Sequence, residues 1–112
     1  MATATFWQRG ETIDLVNSTN KVIEANTILV IRKRIGVAAM EAAPGQKYSV
    51  NVVGVYKFPK KSAEAVTAGA EVYYDPDNGY ITATKSETVI LAGYAVADAA
   101  EADATVSVKI NA

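Results

Sequence analysis

Along most of this chain apolar residues recur at every second position, in short runs rich in β-branched and aromatic side chains and separated by turn formers. That is the pattern of strands with one buried face. The first run is Thr12 to Val16, closed by Asn17-Ser18-Thr19-Asn20. Thr27 to Ile31 follows as a nearly continuous apolar run, which predicts burial on both faces. After Arg32-Lys33-Arg34 a short strand is expected from Ile35 to Ala39, and the turn Ala43-Pro44-Gly45-Gln46 leads into Tyr48 to Phe58. Within that stretch Val50 and Val52, then Val53 and Val55, change faces around Gly54, which predicts a bulge or bend there. Glu71 to Tyr74 and Tyr80 to Thr84 flank Asp75-Pro76-Asp77-Asn78-Gly79, the turn chemistry of a hairpin. Val89 to Ala97 and Thr105 to Ile110 complete the set, joined by an acidic, alanine-rich connection.

Only Lys60 to Ala70 departs from this period. Ser62 can cap a helix, Glu64 lies in its first turn, alanines dominate and Gly69 supplies a stop. The expected fold class is therefore all-β or mainly β: a small barrel or sandwich, architectures that manage sheet edges by closing or stacking, with one short helix near residues 62–69. There is also an internal echo. Ile35 to Ala39, Glu41-Ala42-Ala43, Val50 and Val52 are matched by Ala92 to Val96, Asp98-Ala99-Ala100, Val106 and Val108, which predicts two similar strand, turn, strand units.

Composition narrows the chemistry. The 112 residues suit one domain, and neither a linker nor a low-complexity segment divides them. Residues 1–9 are expected to form an extended N-terminal arm and residues 10–112 a single β-rich domain. Half of the residues are hydrophobic, 21% are charged and the net charge is −1, so no long-range field favours nucleic acid or an anionic membrane. Without cysteine there is no disulfide, thiolate metal site or cysteine nucleophile, and without histidine the commonest general base and metal ligand are gone. No apolar run approaches the roughly 18 to 20 residues of a membrane helix, and the first residues lack the features of a signal peptide.

Each remaining candidate for chemistry has a simpler alternative. Counting from Asp75, a calcium loop would need glycine at its sixth place and glutamate at its twelfth; those places hold Tyr80 and Ser86, so a plain hairpin turn is expected. Arg32, Lys33, Arg34, Lys57, Lys60 and Lys61, with Tyr48, Tyr56 and Phe58 close in sequence, offer the residue types of a nucleic-acid surface, yet the near-neutral chain favours a solvated edge strand instead. No glycine-rich run ends in Gly-Lys-Ser/Thr to cradle phosphate, serines have no histidine to activate them, and Asp98, Glu101 and Asp103 crowd what reads as a solvated turn. No enzyme, metal or cofactor is expected. Phe6 and Trp7 stand apart, two large aromatics ahead of any predicted element. Either they close this domain's own core or they anchor the arm to another chain, since aromatics are enriched at interface hot spots.

The ordered motifs Gly10-Glu11-Thr12-Ile13-Asp14, Arg34-Ile35-Gly36-Val37-Ala38, Val53-Gly54-Val55-Tyr56-Lys57-Phe58-Pro59-Lys60, Gly69 to Asp75, Leu91-Ala92-Gly93-Tyr94-Ala95 and Ala104 to Ile110 resemble a family of small phage capsid cement, or decoration, proteins. That family was long catalogued as a domain of unknown function and sometimes carries a recombinase label, for which the missing nucleotide loop gives no support here. In the segment from Gly54 to Lys60 a lysine, Lys57, stands where the family usually has an acidic residue. The resemblance implies a structural protein made in the host cytoplasm and bound to the outside of a tailed-phage capsid. It further implies association with the major capsid protein, commonly as a homotrimer, with residues 10–112 as the cement domain; Phe6 and Trp7 lie ahead of the matched motifs, and their place at a capsid or subunit interface is expected from their own position in the sequence. Other phage head or tail subunits, and a small nucleic-acid-binding barrel, are the alternative readings.

Overall fold

Nine strands account for the regular structure in a computed structural model that describes all 112 residues. They are β1 (Thr12–Val16), β2 (Ile28–Ile31), β3 (Arg34–Ala38), β4 (Lys47–Asn51), β5 (Gly54–Pro59), β6 (Glu71–Asp75), β7 (Tyr80–Thr82), β8 (Ile90–Ala95) and β9 (Thr105–Ile110). All ladders between them are antiparallel. One sheet has the order β1-β4-β3-β2 and the other β5-β9-β8-β6-β7, so the all-β expectation holds as a two-sheet sandwich rather than a closed barrel.

The stretch expected to run from Tyr48 to Phe58 is two strands in different sheets. The chain leaves the first sheet after Asn51 and enters the second at Gly54, whose φ of +132° few side-chain-bearing residues adopt. The sheets share their interior: Ile35 and Val37 of β3 belong to one buried cluster with Phe58, Val72, Ile81, Ala92, Ala95, Val106, Val108 and Ile110. A smaller cluster of Ala38, Ala42, Tyr48 and Val50 lies under the outer part of the first sheet. Asn111 ties the layers by donating from Nδ2 to the carbonyls of Ile35 (2.9 Å) and Val52 (2.7 Å).

The helix expected at residues 62–69 is absent. That segment makes two turns around an isolated bridge between Val66 and Ala99, and Ala63 takes a positive φ of 59°. Its amides bond outward instead of to carbonyls four residues back: Ala63 N–H to Glu101 O (3.2 Å), Val66 N–H to Ala99 O (2.8 Å), Gly69 N–H to Ala95 O (2.7 Å) and Ala68 N–H to Asp98 Oδ1 (2.7 Å). Two helical turns are marginal by themselves, and a single buried valine, Val66, offers no apolar stripe to hold them. The neighbouring loop satisfies the backbone at no nucleation cost.

The internal echo is a structural duplication. Ile23 and Ala42 exchange two backbone hydrogen bonds (2.9 and 2.8 Å), as do Val66 and Ala99 (both 2.8 Å). Asn26 N–H donates to Ala38 O and Ala38 N–H to Thr27 O; Gly69 N–H donates to Ala95 O and Ala95 N–H to Ala70 O. Ala39 N–H reaches Ser49 O as Val96 N–H reaches Ser107 O, and Gln46 Oε1 accepts from Ala43 N–H (2.8 Å) as Asp103 Oδ2 accepts from Ala100 N–H (2.8 Å). Thus β1, β2, β3 and β4 repeat as β5, β6, β8 and β9 in the same spatial order. Pairing of Ala38 with Val50 and of Ala95 with Val108 makes Val50 the counterpart of Val108, two residues away from the alignment that small-residue similarity suggested. The second unit carries one extra element: where the first turns at Arg32-Lys33, the second inserts a longer hairpin that adds β7.

Candidate interaction surface

Most polar groups that looked available for chemistry are occupied in holding loops. Asp75 Oδ1 accepts from the amides of Asp77 (3.0 Å) and Asn78 (3.2 Å), and its Oδ2 from Asn78 Nδ2 (2.8 Å). The Asn78 side chain, with those amides and the more distant Lys61 charge, holds the Asp75 carboxyl below the usual range against a smaller opposing effect of desolvation. The Asp75 to Gly79 run is a hairpin turn whose carboxylate is spent on its own backbone.

The basic set does not form one surface. Lys60 is only 6% exposed, and its ammonium donates to the carbonyls of Lys61 (2.8 Å), Glu64 and Glu101 (3.4 Å). Arg32 sits in the β2–β3 turn, and Phe58 and Tyr48 are buried in different clusters, so of the three aromatics only the half-buried Tyr56 stands near a surface cation, its neighbour Lys57. Asp98 and Asp103 each bind a backbone amide, of Ala68 and Ala100. Glu64 accepts from Thr82 Oγ1 (3.0 Å), Ala83 N–H (2.7 Å) and Thr84 Oγ1 (3.3 Å), clamping the end of β7.

Phe6 and Trp7 lie outside every strand and are 83% and 89% exposed, so neither closes the core of the single chain. A second apolar feature is β2. Its run Ile28-Leu29-Val30-Ile31 was expected to be covered on both faces, yet β2 is an edge strand; Ile28, Leu29 and Ile31 are half-buried and Val30 is 43% exposed. The apolar run was the visible signal, and only the strand order shows that nothing lies beyond it. A groove of about 310 Å³ separates the two free edges of this sheet, lined by Ile13, Ile31, Arg34, Val52, Val53 and Asn111.

The surface thus presents two exposed aromatics and an apolar sheet edge, features of recognition rather than of bond making. A family model described as phage cement protein matches residues 7–110. The chain belongs to the phage cement protein family. Cement proteins are structural proteins of the phage capsid, which they stabilise, and the match spans both duplicated units. No curated protein and no solved structure matches the chain of this cement protein.

Proposed function

We propose that this cement protein binds the outer surface of an assembled tailed-phage capsid as a homo-oligomer, a trimer at local three-fold positions, and acts without catalysis. Its ligand is the major capsid protein, and the virion exterior is where it works after synthesis in the host cytoplasm. The family match over residues 7–110 carries this reading. The physical logic is linkage: a protein that binds the closed shell but not its separated subunits stabilises the shell by mass action, and it needs only a rigid body with a complementary surface. A sandwich whose polar side chains are committed to its own loops suits that role. Residues 10–112 form the cement domain, and the arm of residues 1–9, with Phe6 and Trp7, serves a capsid or subunit interface.

Co-sedimentation tests it. The purified protein is expected to pellet with phage heads and not with DNA, and to raise the temperature at which heads release their genome. Pelleting with DNA and not with heads would overturn the proposal in favour of a nucleic-acid-binding role.

A further inference from the structure

The duplication permits a comparison of each residue with its counterpart. Leu15, Ile23, Leu29 and Ile31 of the first unit are half-buried, whereas their counterparts Phe58, Val66, Val72 and Tyr74 are buried. The difference coincides with β7. In the second unit β7 pairs with β6 through Tyr73 opposite Thr82, Tyr74 opposite Ile81 and Asp75 opposite Tyr80, and Ile81 is also bridged to Lys60 at the end of β5. One short strand therefore closes the space between the outer strands of that sheet and fills it with Ile81, which is fully buried. The first unit has the corresponding outer strands, apolar side chains at the corresponding positions and no fifth strand. Its groove between β1 and β2 lies against Ile13 and Ile31, the counterparts of Tyr56 and Tyr74.

We infer that the N-terminal arm of a second copy of this chain supplies the missing strand, adding to the free edge of β2 with Phe6 seated in the groove and Trp7 over Val30. The arm has the needed properties. Thr3 and Thr5 favour extended backbone, no proline interrupts residues 1–9, and Thr5-Phe6-Trp7 matches the length of β7. In the register of β7, Phe6 stands opposite Ile31, as Ile81 stands opposite Tyr74, and Trp7 stands opposite Val30, the exposed residue of the edge. Arg34 in the groove wall has a guanidinium that can lie on an aromatic face. Within one chain the arm leaves its two aromatics in solvent, so the donor is another copy. Passing the arm to the next copy is a head-to-tail contact, which closes a ring when the rotation permits, as a trimer requires.

Trp7 is the chain's one tryptophan, so indole emission reports the arm alone. In the purified full chain, without phage heads, the emission is expected to move to the blue over the same concentration range in which sedimentation shows association. Deleting residues 2–9 abolishes association without changing thermal unfolding of the dilute protein, and a synthetic peptide of residues 1–9 then binds the shortened chain with the same blue shift. Val30→Lys raises the concentration needed for association by at least about tenfold, the scale of a lost interface anchor. Association that survives the deletion overturns the inference, as does exposed-indole emission throughout association. Blue emission from the dilute monomer would assign the groove to the chain's own arm, and a blue shift that appears only on adding heads would assign the arm to the capsid; either result overturns it. Because the assay contains no capsid, its outcome is independent of the co-sedimentation result.

Discussion

Asn17 and Lys60 occupy the same place in the two halves of the chain. Each follows the first strand of its unit, each is buried, and each donates to the carbonyl four residues ahead, of Lys21 (2.8 Å) and of Glu64, and again into the loop after the unit's third strand, at Ala42 (3.0 Å) and Glu101 (3.4 Å). Their backbone amides make corresponding bonds to Gln46 O and Ala104 O, both 2.9 Å. A neutral amide and an ammonium thus do one job: from a buried position each donates to carbonyls of two irregular loops and ties them together.

These two positions should differ in sensitivity. Asn17 is sealed at 1% exposure, and Asn17→Ala removes the two hydrogen bonds that its Nδ2 donates and the acceptor of the Thr19 amide and hydroxyl, so it is expected to lower stability by about 2 to 3 kcal/mol. Lys60 lines an open cleft where water can reach the carbonyls that it leaves, so Lys60→Met is expected to lower stability by about 1 to 2 kcal/mol. Denaturant unfolding of both variants checks the order.

Gly36 and Gly93 are counterparts at the sites where β3 and β8 cross closest to their neighbours. A Cβ on Gly93 would overlap the Lys109 carbonyl oxygen, and its φ is +151°, whereas a Cβ on Gly36 would press on Val50 Cγ1 at 2.5 Å. A backbone atom cannot give way as a methyl can. Gly93→Ala is expected to lower stability by about 3 kcal/mol or more and Gly36→Ala by about 1 to 2 kcal/mol. Equal melting temperatures for the two variants would contradict the duplication-based comparison.

Glu64 holds the end of β7 through Thr82, Ala83 and Thr84. Glu64→Ala is expected to speed amide exchange across Tyr80 to Thr84 and lower stability by about 2 kcal/mol, while exchange in β1 to β4 stays unchanged. Uniform acceleration throughout the chain would show that β7 does not open on its own.

Burial raises the pKa of Tyr48 above its ordinary 10.0, and of Tyr74 too, where the Asp75 charge adds to the effect. A raised pKa in the folded state means that the stability is fully present below pH 10.0 and is lost as the pH climbs from there through the folded value. Stability is therefore expected to fall on the alkaline side, and Tyr48→Phe should flatten part of that fall. An unchanged alkaline limb in Tyr48→Phe would assign the loss elsewhere.

Exposure of Trp7 makes a further contrast. Trp7→Ala is expected to change the stability of the dilute chain by no more than about 0.5 kcal/mol, where truncating a core aromatic would cost about 3 to 5 kcal/mol. Thermal unfolding at low concentration distinguishes the two.

The sequence by itself determined which stretches are strands, because side-chain alternation is local and β-branched residues favour a pleated, half-buried surface. It also showed the duplication, through Gly36-Val37-Ala38 and Gly93-Tyr94-Ala95, and it excluded cysteine and histidine chemistry outright. What it left open depended on contacts far along the chain. Lys60 to Ala70 has the composition of a helix and became paired loop because residues 95–101 lie beside it to accept its hydrogen bonds. Lys60 reads as a surface cation and is buried because three carbonyls converge on it. Tyr48 to Phe58 reads as one bent strand, and only the sheet order assigns its halves to different layers. The same holds for Leu29 to Ile31, whose apolar run states that the strand wants cover; the strand order, set by long-range pairing, decided that a single chain leaves its outer edge open.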